Sequence, residues 1–218
     1  DYVAFVRKHA GDYDLVIVSY HGDWVEEYKT EVRPEKKDLF YRLLDAGVHI
    51  VWGHHPHVLQ PWKRVDYYGS GRAMIMSAGN FISAQGYRLD EQNPDPADFW
   101  ADTHDSALFR LTVRRNHGKT DVSALEAIPV FQWIIPGRES GVLATTYEGI
   151  QRRETRPEWK TYYASRLSIF RERAIAHGQI DSETRALPAS VTHSLQSAES
   201  DFRLRLPFVP ESLHLVAR

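Results

Sequence analysis

Two periodicities alternate along the first half of this chain. "YVAFVRKHAG" spaces its apolar residues as a helix does and stops at Gly11, and "DLVIVSYH", residues 14–21, follows as a short β-branched run bounded by polar residues. The pattern predicts a helix and then a buried strand. "RPEKKDLFYRLLDAG" sets Pro34 near its start, Leu39, Phe40, Leu43 and Leu44 on one face, and Gly47 as terminator, which predicts a second helix. "VHIVWG" and "RAMIMSAGN", residues 72–80, read as two more buried strands, so the first two strands and the helix between them form a βαβ unit with parallel strands.

The second half reads differently. "DSALFRLTVRR" and "DVSALEAIPVFQWII" are joined by "NHGK", where Gly118 suits a hairpin turn, so this pair is expected to be antiparallel. Between the third strand and the hairpin, "AQGYRLDEQNPDPADFWADTHD" carries two prolines, several acids and little periodicity, and is expected to be a long surface loop of the kind that serves as a lid or binding loop. "TRPEWKTYYASRLSIFRERAIAHG" opens with the capping-box pair Thr155 and Glu158 and carries Trp159, Tyr163, Leu167, Phe170 and Ala174 on one stripe, an amphipathic helix. The domain is expected to occupy 1–150, with a helical C-terminal appendage over 151–218.

Composition narrows the chemistry more than the fold. With 218 residues, 42% hydrophobic and 26% charged, the chain is an ordinary globular sequence. Net charge is −2 with basic residues scattered, so no electrostatic footprint for nucleic acid or an anionic membrane surface is visible in one dimension. There is no cysteine, so any metal must be held by imidazole, carboxylate or amide groups.

Three of the strands end in polar side chains. His21 closes the first, His54, His55 and His57 follow the second, and Asn80 follows the third. In open α/β sheets ligands bind beyond the carboxyl ends of strands, where such groups converge. His55 and His57 are two apart, so extended backbone would turn both to one side, with Pro56 stiffening the turn; His54 is expected to point away and to serve in packing or behind the ligands. Two imidazoles held like this suit Zn, Mn or Fe, as one ion or a pair. A lone strand-end histidine is usually just hydrogen-bonded, and Asn80 after Gly79 is a common turn residue, so the weight rests on the cluster.

"VIVSYHGDWVEEY", "LLDAGVHIVWGHHPHVLQPW" and "MIMSAGNFI" resemble the second half of the CapA family, named for poly-γ-glutamate capsule biosynthesis and similar to calcineurin-like metallophosphoesterases. The resemblance covers residues 1 to about 135, and G-H-H-P-H-V-L-Q followed by S-x-G-N-F is its most specific part. It implies an α/β fold with a metallophosphoesterase-like layered sheet core and flanking helices, and an extracytoplasmic or membrane-associated setting. By position His55 and His57 match the motif that gives one histidine to each of two ions, His21 matches an earlier strand-end ligand, and Asn80 matches a substrate or supporting contact.

Two features depart from the family. Where it has W-G-x-E-Y after the strand-end histidine, this chain has "HGDWVEEY", a departure that either reshapes the pocket mouth or brings in Asp23 as an added carboxylate, with Glu27 and Tyr28 read as the displaced E-Y pair. The family's first half, with its bridging aspartates, has no counterpart here, and three neutral imidazoles do not balance two divalent ions. The expectation is therefore an upstream segment or separate chain that completes the metal site, with Asp102, His104 and Asp105 as the only nearby candidates to help, although "DTHD" reads first as a solvated turn. The function implied is a metal-dependent phosphoesterase-like hydrolase acting on a phosphorylated substrate, or a non-hydrolytic component that binds or exports poly-γ-glutamate.

Overall fold

A computed structural model of the chain describes residues 2–22, 24–83, 85, 89–134 and 142–176. They belong to one compact unit that spans residues 1–180.

The predicted βαβ unit is present. After α1 (Tyr2–His9), strand β1 (Ile17–His21) leads through α2 (Pro34–Asp45) to β2 (Ile50–His54), and the two strands pair in parallel from Ile17 opposite Ile50 to His21 opposite His54. Pro34 stands in the first turn of α2, and the Ala46 N–H closes the helix onto Arg42, Leu43 and Leu44. The third strand is shorter than the sequence suggested and has a partner the apolar pattern did not reveal. β3 (Trp62–Tyr67) and β4 (Ser70–Ile75) form a hairpin whose loop, Tyr68 and Gly69, has φ of 52° and 74°. Positive φ at both central residues is the tight turn that matches strand twist. The sheet order is β1-β2-β4-β3, with β4 parallel to β2 and antiparallel to β3.

The second sheet is antiparallel, β5 (Asp105–Asn116), β6 (Lys119–Ile134) and β7 (Val142–Thr146), and its first two strands are the expected hairpin. His117 and Gly118 both take positive φ in its turn. β7 and the short α3 (Tyr147–Arg153), capped by the Thr146 hydroxyl accepting from the Gly149 N–H, had no clear period in the sequence.

Burial explains the layering. Val3 of α1 and Phe40, Leu43 and Leu44 of α2 pack on Val51 and Met74 of the first sheet and on Met76 just past β4. The opposite face, with Ile75 and Trp62, meets Ala107, Phe109, Leu125 and Ala127 of the second sheet. Further along that sheet Phe131 is wrapped by Tyr147, Trp159, Tyr162 and Tyr163. The last three lie on α4 (Pro157–Ala176), whose predicted stripe is buried at Trp159, Tyr163, Phe170 and Ala174. The protein is thus α/β, with one mixed and one antiparallel sheet between flanking helices, and among the described residues no helix is long and apolar enough to cross a membrane.

The compact unit includes α4, which supplies an aromatic face to the second sheet, and the stretch 177–218 lies outside the described residues. One expectation meets a different outcome. The "DTHD" stretch is not a solvated turn. It ends a 3₁₀ turn over Phe99–His104, and His104 and Asp105 are each 2% exposed. Arg166 of α4 reaches both Asp102 and Asp105, Arg173 forks onto Asp102 at 2.9 and 3.0 Å, and the Tyr147 hydroxyl donates to Asp105. Burial works to raise the Asp102 carboxyl, but Arg173 and Arg166 outweigh it and leave it below its ordinary value.

A buried ion pair costs much of its Coulomb gain in desolvation, but removing one partner leaves an uncompensated charge. Arg166→Ala would leave Asp105 buried without its cation while Asp102 keeps Arg173, and the expected loss is about 3–5 kcal/mol of unfolding free energy, measured from urea midpoints. An unchanged midpoint would show that the network contributes nothing.

His49 gives a pH signature. Its Nδ1 accepts from the Val16 N–H at 3.1 Å, so that nitrogen must be unprotonated, and burial, then Arg72, lowers its pKa from 6.5 to about 4. Between those values the unfolded imidazole binds a proton that the folded one refuses, so stability falls as pH drops from 6.5 to 4, by up to about 1.4 kcal/mol per pH unit. His49→Gln, which keeps an acceptor without titrating, is expected to flatten that slope in denaturation series at pH 7 and pH 5; an equally steep slope would assign the effect elsewhere.

Candidate functional site

The polar strand ends do converge. His21 and His54 are cross-strand neighbours at the carboxyl ends of β1 and β2, with ring centroids 6.4 Å apart. By strand alternation His54 shares its side with Trp52, and its ring stacks on that indole at 6.2 Å. His54 thus packs on Trp52 beside the cluster. Gly53 before it allows the close approach of β2 to the neighbouring chain, since a Cβ there would lie 1.9 Å from the Met76 carbonyl oxygen.

His55 and His57 come together by another route than extended backbone. They have φ of 99° and 58°, both in the left-handed region that non-glycine residues avoid, and their ring centroids lie 6.0 Å apart. Such strain persists only where the surroundings over-determine it. Here they do. Pro56 is buried, its carbonyl accepts the Tyr28 N–H at 2.8 Å, and the following Leu59 bridges to Ala78. His55 Nδ1 faces His21 Nε2 at 3.3 Å.

Asn80 has more work than a turn residue. It is 4% exposed, and its amide nitrogen lies 3.0 Å from each of the His57, Gln85 and Thr103 carbonyls. That settles its orientation, with the amide oxygen toward His57 Nδ1 at 2.9 Å. The His57 proton therefore sits on Nδ1 and the lone pair on Nε2. This arrangement orients metal-ligating histidines, whose second nitrogen is held by an acceptor.

Burial and neighbouring charges favour the neutral form of two of these histidines, His54 and His55. The pKa of His54 is lowered by burial first and then by His21 and Lys36; that of His55 is lowered by burial and His21, against the raising effect of Glu27. Neutral imidazole is the form that binds metal. Glu27 is thus within electrostatic reach of His55, and Tyr28 lays its ring 6.0 Å from His57 and 5.3 Å from Trp100. Asp23 lies outside the described residues. Asp102, His104 and Asp105 do not join the cluster: the two carboxylates hold α4, and His104 Nδ1 faces the Gln132 carbonyl at 2.6 Å. Among the described residues no group of three His, Asp or Glu side chains is placed to hold one metal ion.

A network that sequence reasoning overlooked supports the turn from below. Glu26 and Lys36 form an ion pair at 2.8 Å with both side chains fully buried, and Lys36 also donates to the Gln60 amide oxygen at 2.7 Å. The Gln60 amide nitrogen lies 3.1 Å from Glu26, 3.0 Å from the Lys29 carbonyl and 3.1 Å from the Glu31 carbonyl. The only hint in the sequence was a glutamine ending an otherwise apolar "HVLQ".

Known proteins share this stretch. A family model described as bacterial capsule synthesis protein PGA_cap matches residues 2–85. The PGA biosynthesis protein CapA of Bacillus subtilis (strain 168) is 32% identical over 125 residues, 57% of this chain and 27% of that protein. The capsule biosynthesis protein CapA of Bacillus anthracis is 36% identical over 120 residues, 55% of this chain and 24% of that protein. The matched segment therefore spans about a quarter of each relative's length. The strands that carry His21, the histidine turn and Asn80 all fall inside residues 2–85, and over that stretch the chain is a partial match to the CapA family, whose PGA_cap fold is metallophosphoesterase-like.

Proposed function

We propose that this chain belongs to the machinery of capsule or poly-γ-glutamate biosynthesis and carries the histidine half of a metal-dependent phosphoesterase-like centre. The association follows the names of the CapA proteins of Bacillus subtilis and Bacillus anthracis described above. The observation that carries the chemistry is the His57–Asn80 pair, which fixes the imidazole proton on Nδ1 and leaves Nε2 as a lone pair beside His55.

The donors fit part of such a centre. His21, His55 and His57 would hold one or two ions of the Zn, Mn or Fe type, and all three are imidazoles, without the carboxylate that balances and bridges a pair of divalent cations. When bound, the ion supplies Lewis acidity at a phosphorus or acyl centre. Asn80 keeps the His57 tautomer, Glu27 biases the protonation of His55, and the Tyr28 ring shields the turn on one side. The remaining ligands come from an upstream segment or another chain. β1 offers a place for it: the strand pairs only with β2 among the described residues, and Ile17 is 54% exposed where a parallel strand is ordinarily covered.

A second reading is a non-hydrolytic component that binds or exports the polymer. It is favoured by the lack of a three-donor set among the described residues.

Metal content by elemental analysis decides between them, on this chain and on a longer form that includes upstream sequence. The longer form is expected to retain metal, His57→Ala to lose it, and Asn80→Ala to bind it about 10–100-fold more weakly. Full retention in His57→Ala would sink the metal-centre reading. Shortening of poly-γ-glutamate or release of phosphate supports hydrolysis, and polymer binding without turnover supports the second reading.

A further inference from the structure

Strained backbone marks more than the histidines. Among the described residues, five that are not glycine have positive φ. Tyr68 and His117 have it in the two hairpin turns, where strand twist demands it, and the other three are Tyr28, His55 and His57. Tyr28, with φ of 61°, is therefore held in the same costly backbone region as the two histidines it adjoins. Strain of this kind gathers at ligand clamps, and what it places here is a ring: the Tyr28 phenol lies 6.0 Å from the His57 imidazole, centroid to centroid.

Two more rings continue the row. The Trp100 indole meets Tyr28 at 5.3 Å and 80°, and Phe99 meets Trp100 at 4.8 Å and 76°, so the rings step edge to face away from His57. Tyr28 and Trp100 are half-buried, and Phe99 is 62% exposed. Main-chain hydrogen bonds hold the row: Asp98 accepts the Trp100 N–H at 2.8 Å, the Thr103 hydroxyl donates to the Trp100 carbonyl at 2.7 Å, and Pro56 accepts the Tyr28 N–H at 2.8 Å. Asn80 ties that turn to the cluster, since it contacts both the Thr103 carbonyl and His57 Nδ1.

Charge narrows what such a row can hold. The described residues between 73 and 109 include no lysine or arginine, Arg88 lying outside them. The arginines that reach this segment, Arg166 and Arg173, are engaged by Asp102 and Asp105. Next to the three rings in sequence stand Glu27, Lys29 and Asp98, two acids and one base. An acidic chain finds no attractive field there, and a second phosphate finds no arginine fork. A single exposed aromatic is unremarked surface, whereas a contiguous row beside a polar cluster is a recognition surface. Stacking platforms accept ring faces and do not depend on hydrogen-bonding edges.

We infer that Tyr28, Trp100 and Phe99 are the specificity-determining surface of the histidine centre, and that its substrate is a phosphoester whose alcohol part carries a flat ring, stacked along this row with the phosphorus toward the imidazoles. This ring site belongs to the proposed metal centre and rests on that reading for the phosphorus end alone. An aryl group and a nucleobase share the required chemistry.

The probes are phenylphosphonate and methylphosphonate, which resist hydrolysis and differ only in the group on phosphorus. On the metal-free chain, phenylphosphonate is expected to shift the Trp100 indole N–H resonance, assigned by its disappearance in Trp100→Leu, and methylphosphonate is expected to leave it in place. Without that shift the proposal fails, whatever the metal content. On the longer, metal-loaded form, calorimetry is expected to show about tenfold tighter binding of phenylphosphonate than of methylphosphonate. Trp100→Leu and Phe99→Ser should each bring that ratio toward one, while Phe5→Ser, which removes a comparably exposed aromatic from α1, should preserve it. Damage to the fold would weaken both probes together and leave the ratio standing. A wild-type ratio near one, with the shift on the short chain intact, would mean that upstream sequence covers the row, and it overturns the proposal; so does an undiminished ratio in both ring variants. Competition by adenosine 5′-phosphate or by phenyl phosphate supports the ring and separates its two sources, and glycerol phosphate competing as well as either contradicts it. Failure of the metal-centre reading shows in elemental analysis and does not touch the indole shift, so the two are decided separately.

Discussion

The buried Glu26–Lys36 pair is the constraint on which the candidate site depends. Two full charges with no exposed side-chain surface are tolerable only if every remaining donor and acceptor is engaged. The structure meets that condition by drawing three segments into one knot. Glu26 comes from the turn after β1, Lys36 from the first turn of α2, and Gln60 from the end of the histidine loop; the Arg33 N–H closes the remaining carboxylate oxygen. Because Gln60 also lies against the Lys29 and Glu31 carbonyls, the loop that carries Tyr28 cannot move independently of the loop that carries His55 and His57. The strained backbone at both histidines is held by that arrangement, and the Tyr28-to-Pro56 hydrogen bond joins the two loops directly.

A second buried network does for the far side of the molecule what the first does for the near side. Asp102, Asp105, Arg166, Arg173 and Tyr147 bind α4 to the end of the 3₁₀ turn and to β5. Thr103 in the same turn offers its carbonyl to Asn80, so the residue that orients His57 is itself positioned by the segment that α4 clamps. Acidic residues near a histidine cluster invite assignment as ligands. Here the carboxylates are consumed by arginines, and their contribution to the site is mechanical.

These two networks also account for what could be read in advance. The helix over Pro34–Asp45, the parallel pair, the β5–β6 hairpin and the aromatic stripe of α4 were legible because each leaves a local period: one apolar face, one β-branched run, one glycine at a turn. β3 and β7 were not legible, because edge strands need no continuous apolar run and their residues alternate weakly against solvent. At the site, the convergence of His21, His55, His57 and Asn80 was legible from strand ends alone. The mutual geometry was not: extended backbone was the natural expectation for His55-Pro56-His57, and the left-handed turn arises from contacts with residues as distant as Tyr28 and Ala78.

What the sequence by itself determined is the placement of chemistry on elements. Polar side chains stand at the ends of apolar strands, and a parallel sheet must bring those ends to one edge. What only the tertiary structure decided is partnership. Whether Asn80 caps a turn or orients His57, whether Asp102 and Asp105 face solvent or arginines, and whether the rings of Tyr28 and Trp100 meet all depend on residues tens of positions apart. Burial, not spacing, sets those choices, because a polar group removed from water takes whichever partner the packed core leaves within hydrogen-bond reach.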